Sequence, residues 1–376
     1  MFLREFKVMN LWSDSSVELS FAKNVTILTG INGSGKSSIL NIIYDSLNFK
    51  SAEYLTTSKN RLWVSECTLE NDIVLQSMAL PPVPQEKQTE IESSIIKYRK
   101  DNGPHTVLYN QKLIDEVKEV YDDGKALNHI VFSKGNIEGE GFVNAFDFPD
   151  SYTEEQIEEG RKALRERPNA FLFQEDRKVM HNLDNSNIDP NLEFWATYST
   201  SIDTRFFYIR DAMQIRESQI DSERSKILDD FEGVGDFDGH RNDPRYKKVI
   251  NDKKSIADLY SLLNIYFSES GKSIVKDKDD NKVTLKNSAN DTPISWHLLS
   301  RGEKTIIYLF FSVFLYKDKV SMFLLDEPDV ALHINWQENL IKDITSIAPE
   351  HQFVIATHSP GLVMNGWMNN CKEIAI

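Results

Sequence analysis

Apolar and polar positions alternate through residues 1–28, with Phe2, Phe6, Val8 and Leu11 followed by Val17, Leu19 and Phe21. A period of two predicts half-buried strands, here a short antiparallel meander ending in the apolar run Val25-Thr26-Ile27-Leu28. The period then changes. Ile39, Leu40, Ile43, Tyr44 and Leu47 recur at intervals that give a helix one apolar face over 39–47. Residues 61–69 and 73–80 return to strand patterns on either side of Glu70-Asn71-Asp72, a hairpin turn.

From Pro81 to about Ala170 the chain becomes charged, turn-rich and less periodic, the mark of an insertion. Within it Leu113, Ile114, Val117, Val120 and Tyr121 predict one helix, and Thr153 with Gln156 a capping box opening another that reaches about Arg167. Residues 169–173 read as a buried strand ending at Gln174. Sparse apolar positions from Asp211 to Phe231 (Met213, Ile220, Ile227, Leu228, Phe231) predict a short helical arm without a sustained heptad. An amphipathic helix over 255–267 and a hairpin over 273–286 around Asp279-Asp280-Asn281 follow. The last third alternates buried helices and strands: Thr305 to Tyr316, Met322 to Leu325, a helix through Leu340, Ile341, Ile344 and Ile347, and Phe353 to Ala356. Strands and helices in this order predict an α/β fold with a mixed central sheet, an antiparallel flank and a mainly helical insertion. Residues 1–80 and 255–376 form its two lobes, and 81–254 the insertion, with 169–178 returning to the head.

The 376 residues carry a formal charge of −15, which repels nucleic acid at long range and confines any such contact to a restricted face or to a partner. No apolar run is long enough to span a bilayer and no signal-peptide pattern opens the chain, so a cytoplasmic protein without membrane contact is expected. The two cysteines, Cys67 and Cys371, suggest neither a disulfide framework nor a metal cluster. His240, in DGHRNDPRY, has no ligand-spaced partners and reads as a loop residue.

Between the strand at 25–28 and the helix from 39 lies GINGSGKSS, Gly30 to Ser38. Glycines there let successive N–H groups surround phosphates, with the positive end of the following helix behind them. Asn32, Gly33, Ser34, Gly35, Lys36, Ser37 and Ser38 are the candidate nucleotide contacts, Lys36 reaching the β- and γ-phosphates and the Ser37 hydroxyl binding Mg²⁺. A second polar turn, Leu299-Ser300-Arg301-Gly302-Glu303, opens a buried helix and offers Ser300, Arg301, Gly302 and Glu303 as a further phosphate-binding end. The strand ending at Leu325 delivers Asp326, a candidate Mg²⁺ ligand, and Glu327, a candidate base for water. Gln174 is the third candidate for the metal, and His358, after its own strand, for the γ-phosphate.

Taken in order, GINGSGKSS, LLSRGEK, FLLDEPDVALH and ATHSP resemble the phosphate loop, signature, acidic strand with D-loop, and histidine switch of ABC-type AAA ATPases. The branch most resembled is the compact one of the overcoming-lysogenisation-defect proteins and of anti-phage ATPases such as the Septu subunit, with SMC proteins and RecF more distant. The resemblance covers roughly 1–80 and 255–376. It implies a P-loop ATPase head that binds ATP and Mg²⁺ and forms a head-to-head dimer. Ser300 and Gly302 of one copy would cap the nucleotide on Lys36 and Ser37 of the other, and Asp329 to His333 would run across the interface. It further implies a separate effector, a nuclease or toxin. In a departure from the overcoming-lysogenisation-defect proteins, which carry a C-terminal Toprim domain, none is expected here, where about a dozen residues follow Gly361. Arg301 stands where the family usually has a small residue and Asp329 where it usually has Glu, so Arg301 is open to two roles, a clamp on phosphate or a solvated side chain. The rival implication is an ATP-gated DNA-binding repair or recombination protein of RecF or SMC type.

Overall fold

The computed structural model of the chain describes residues 2–11, 16–48, 62–80, 141–166, 169–174, 202–233, 239–276 and 283–374, with scattered helical positions between 89 and 115. Apart from Asp115, which is helical, the helix expected around Leu113 to Tyr121 falls outside them, as does the turn at 279–281.

Two five-stranded sheets organise the molecule. The first is antiparallel, in the order β2 (Ser16–Ser20), β1 (Leu3–Met9), β4 (Trp63–Leu69), β5 (Val74–Leu80), β6 (Gly141–Asp147). The second is wholly parallel, in the order β13 (Cys371–Glu373), β3 (Val25–Thr29), β12 (Gln352–Ala356), β11 (Met322–Asp326), β7 (Ala170–Gln174). The mixture of directions expected within one sheet is thus divided between two. The reason lies in the connections: β1 with β2, and β4 with β5, are neighbours in sequence joined by short links that allow antiparallel hairpin pairing, whereas β3, β11 and β12 are separated by helices, as parallel neighbours require.

Burial follows from the alternation of side chains along the parallel strands. Val25, Ile27, Phe171, Phe173, Phe323, Leu325, Phe353 and Ile355 face one core, and Leu28, Ala170, Leu172, Met322, Leu324, Val354 and Ala356 the other. The second core also holds α1 (Lys36–Leu47), α2 (Glu154–Glu166) and the antiparallel sheet. The first holds α3 (Ile202–Gly233), α4 (Pro244–Ser268), α5 (Arg301–Tyr316) and α6 (Ile334–Ile347). Helix α5 is buried along almost its whole length, as its all-round apolar sequence requires. A third, small sheet in the order β10 (Pro293–Ile294), β9 (Val283–Asn287), β8 (Lys272–Lys276) contains the hairpin expected at 273–286.

Three features depart from the sequence expectation. Strand β6 returns from the insertion to extend the first sheet, pairing with β5 from Val74↔Asp147 to Leu80↔Gly141. The boundary at 254 falls inside α4, one continuous helix. The arm expected at 211–231 belongs to a longer helix, α3, that lies against α5 and α4 with Phe206, Ile209, Met213, Ile220 and Ile227 buried. Those positions form a narrow stripe, and the polar residues between them conceal it.

The sheets and α1 are fastened by buried amides. Gln352, fully buried, accepts from the Leu3 N–H and donates to the carbonyls of Leu3 and Ala22, each at 2.8 Å, joining β12 to the start of the antiparallel sheet. At the end of α1, Asn48 Oδ1 accepts from the N–H groups of Asn169 (2.7 Å) and Ala170 (3.1 Å), so the helix is fixed to the beginning of β7. Both capping-box bonds of Thr153 and Gln156 are present ahead of α2. His240, expected in a loop, lies in a short 3-10 helix (Gly239–Asn242) and packs its ring on Tyr246 at 4.7 Å between centroids. Among the described residues no helix is long and apolar enough to cross a membrane.

Candidate functional site

Four strands of the parallel sheet end together. Asp326 is in register with Gln174 on one side and Ala356 on the other, and Ala356 with Leu28. Whatever follows these positions is therefore delivered to the same edge, where parallel sheets place their ligands. The loop at Gly30 to Gly35, Asp326-Glu327, Thr357-His358 and Gln174 all emerge there.

Gly35 is the N-cap of α1 at φ 89°, a left-handed conformation that glycine adopts without strain. The turn brings the first N–H groups of α1 round to the loop, and no acidic residue in the first helical turn opposes their positive end. Lys36 is buried, its ammonium held by the carbonyls of Gly30 and Ile31, each at 3.1 Å, and by Ser34 Oγ at 3.4 Å. Burial lowers its pKa from the ordinary lysine value, and the charges of Glu327 and Asp326 act the other way. The partners it touches directly are neutral, so its positive charge remains to meet an anionic oxygen. Ser37 Oγ donates to Asp326 Oδ1 at 2.9 Å, pairing a hydroxyl and a carboxylate oxygen at the strand end. Gln174 Nε2 donates to Asn41 Oδ1 of α1 at 2.7 Å, which engages the amide nitrogen and leaves the amide oxygen as the atom suited to a metal.

Glu327 has φ 47°, a conformation costly for a residue with a side chain, and its N–H donates to the Ala356 carbonyl at 2.8 Å. The strain and the bond hold its carboxylate at the edge, 3.6 Å from His358 Nε2. Behind it Thr357 Oγ1 donates to Asp329 Oδ1 at 2.6 Å, and Gln337 Nε2 donates to the carbonyls of Asp329 (3.3 Å) and Leu332 (3.0 Å). Desolvation raises the pKa of the buried Asp329, with the Thr357 hydrogen bond opposing it. Asn41 and Gln337 escaped sequence reasoning because each acts through a neighbour and belongs to no motif, and Thr357, though part of ATHSP, was overshadowed there by His358.

The second turn is elsewhere. Its helix, α5, lies in the core on the opposite face of the parallel sheet from α1. Ser300 and Arg301 are exposed, and Ser300 caps α5 in a capping box with Glu303. Gly302 is buried: a β-carbon there would come within 2.5 Å of the Ala331 carbonyl, so it is the close approach of α5 to the loop after Glu327 that demands glycine. Glu303 is 2% exposed and its carboxylate is committed to Ser300, Ser270 and Lys272. The spacing Ser-x-x-Glu carries the signal for that local use.

The family model described as "AAA ATPase domain" matches residues 1–363. The chain belongs to that family. At one sheet edge this ATPase brings together the Gly30 to Gly35 loop, Asp326, Glu327 and His358. Among curated proteins it is 23% identical to "Retron Ec83 probable ATPase" of Escherichia coli, over 92% of this chain and 66% of that protein. It is also 23% identical to "Retron Vc95 probable ATPase" of Vibrio cholerae serotype O1 biovar El Tor, over 91% of this chain and 67% of that one. The chain thus spans about two thirds of the length of these relatives. Among solved structures, the Smc head domain of Pyrococcus furiosus bound to the C-terminal domain of ScpA aligns with a TM-score of 0.42 and 14% identity, covering 97% of this chain and 91% of that one. The SMC head domain of Thermotoga maritima aligns with a TM-score of 0.41 and 14% identity, covering 97% and 92%.

Proposed function

We propose that this ATPase is a cytoplasmic, Mg²⁺-dependent enzyme whose copies pair head to head on ATP, and whose hydrolysis cycle controls a separate effector, a nuclease or toxin, in anti-phage defence. The carrying observation is the division of the motifs. Lys36, Ser37, Asp326, Glu327 and His358 share one sheet edge, while the Ser300 turn belongs to a helix on the sheet's other face. A second copy supplying its own Ser300 turn is the arrangement this division supports.

Ser37 and Asp326 fit a magnesium ion, since hard oxygen donors already lie side by side at 2.9 Å, and the Gln174 amide oxygen is the third candidate ligand. Ser37 and Asp326 would hold the ion, which when bound would supply positive charge against that developing on the phosphates. The loop amides and Lys36 hold the β- and γ-phosphates. Glu327 takes a proton from water; the water oxygen attacks the γ-phosphorus while its bond to the bridging oxygen breaks, and ADP leaves with that electron pair. His358, beside Glu327, orients the γ-phosphate, and Ser300 with Arg301 of the second copy closes over it. The defence role is supported by the resemblance to anti-phage ATPases and by the kinship with two retron ATPases. The charge of −15 weighs against a DNA clamp as the primary role.

Mixing two inactive variants tests the pairing. Lys36→Ala lacks a working phosphate loop and Ser300→Arg a working second turn, yet a mixed dimer holds one intact composite site. Equimolar mixing should restore roughly a quarter of wild-type phosphate release, because half the dimers are mixed and each has one good site of two. No recovery would mean that Ser300 does not act across copies.

A further inference from the structure

A capping box asks of its glutamate carboxylate only that it accept the N-cap backbone N–H. In α5 it is buried. Glu303 Oε2 accepts the Ser300 N–H at 2.8 Å, and the carboxylate also receives the Lys272 ammonium at 2.7 and 2.9 Å and the Ser270 hydroxyl at 2.9 Å. Burial acts to raise the pKa of this group, but Lys272, the Ser300 backbone and Ser270 outweigh it and hold the carboxyl below its usual range. Glu303 is therefore ionised at neutral pH. Its charge is matched by a residue 31 positions away in sequence, the first of β8.

Lys272 has no part in closing the helix cap, which Ser300 and Glu303 complete by themselves. What it does is fix the cap in space. At the other end of β8, Lys276 pairs with Glu217 and Asp221 of α3, both at 3.1 Å. Strand β8 therefore runs as a strut from the long helix of the insertion to the Ser300 turn, with a lysine anchoring each end.

We propose that Lys272 is a positioning residue for hydrolysis. Through Glu303 it holds the Ser300 turn at the angle needed to meet the triphosphate on a second copy, and β8 makes that angle depend on where α3 lies. The inference rests on the reading that Ser300 acts across copies. It adds a control point outside the nucleotide's own contacts, reached through the insertion rather than through the phosphate loop.

The test uses the full chain carrying Lys272→Met, with Lys272→Arg as the conservative control. ATP affinity, read by titration with a fluorescent ATP analogue, should stay within about twofold while kcat falls about tenfold, the scale of a small misplacement of a catalytic group. Lys272→Arg should bring kcat back to within about threefold of wild type, since the charge returns at similar reach. The defect should also follow the second turn in mixing: Lys272→Met recovers activity with Lys36→Ala and gains nothing with Ser300→Arg. If unpaired Glu303 prevents folding, the double variant Lys272→Met with Glu303→Gln removes the buried charge and keeps an acceptor for Ser300, and its kcat should still be low. An unchanged kcat in Lys272→Met, a loss confined to ATP affinity, or recovery with Ser300→Arg would each overturn the proposal. Failure of the reading beneath it shows separately, as no recovery between Lys36→Ala and Ser300→Arg.

Discussion

The loop before α1 and the Ser300 turn, the two halves of the proposed composite site, are built on different principles. The first is held by backbone: four parallel strands in register bring their ends to one edge, and Lys36, Ser37, Asp326 and Glu327 need only short side chains or tight turns to converge. The second is held by side chains, with an exposed serine oriented by a buried carboxylate that is itself held by a lysine from a different sheet. A backbone frame resists single substitutions, whereas a side-chain frame can be shifted by changing one charge. Under the proposed function, chemistry belongs to the rigid half and adjustment to the other.

The largest effect expected from this contrast is Glu327→Gln. It removes the base and leaves the phosphate contacts, so phosphate release should fall about 10³-fold with ATP binding preserved, measured by single-turnover assay beside equilibrium titration. A comparable loss of ATP binding would mean that the two halves are not separable. Gly302→Ala probes the seam between them. Its β-carbon would press on the Ala331 carbonyl, 2.5 Å away, and force α5 off the loop that follows Glu327. Stability should drop by about 1–3 kcal/mol, as for other overpacked sites, and kcat should fall with it while single-copy ATP affinity holds.

Asp329→Asn should do least. The carboxyl is raised in the folded state, so that state holds its proton more tightly than the unfolded chain does. Its contribution is then complete below the ordinary aspartate value and declines as pH rises toward the raised one. Asparagine keeps an acceptor for Thr357 and cannot ionise. Denaturant unfolding at pH 7 should show the variant as stable as wild type or up to about 1.5 kcal/mol more so, the advantage vanishing at acid pH. A variant clearly less stable at pH 7 would give the Asp329 charge a supporting role.

Much of the rigid half could be read directly from the chain, because each piece is a short local pattern: an apolar run of four or five residues, then the polar groups that its end delivers. Val25 to Leu28 announces the loop, and Met322 to Leu325 announces Asp326 and Glu327. The other half was less legible. Ser300 stood out as the start of a buried helix, but Glu303, read as a nucleotide contact, works inside its own copy, and its partner Lys272 looked like any strand lysine. Helix α3 was hidden for a related reason, since a buried stripe such as Phe206, Ile209, Met213 and Ile220 leaves most of a helix polar. Interactions that depend on which distant elements become neighbours leave no periodic trace.

Strand β3 lies between β12 and β13, so Val25 pairs with Phe353, and Ile27 with Cys371. During synthesis the phosphate loop therefore leaves the ribosome on a strand with both edges bare, and neither partner exists until more than three hundred further residues have been made. Such long-range pairing makes folding slow and leaves the nascent chain open to mispairing. It also means that the Gly30 loop stands without neighbouring strand ends until β11 and β12 have been made, so the shared sheet edge forms only after them.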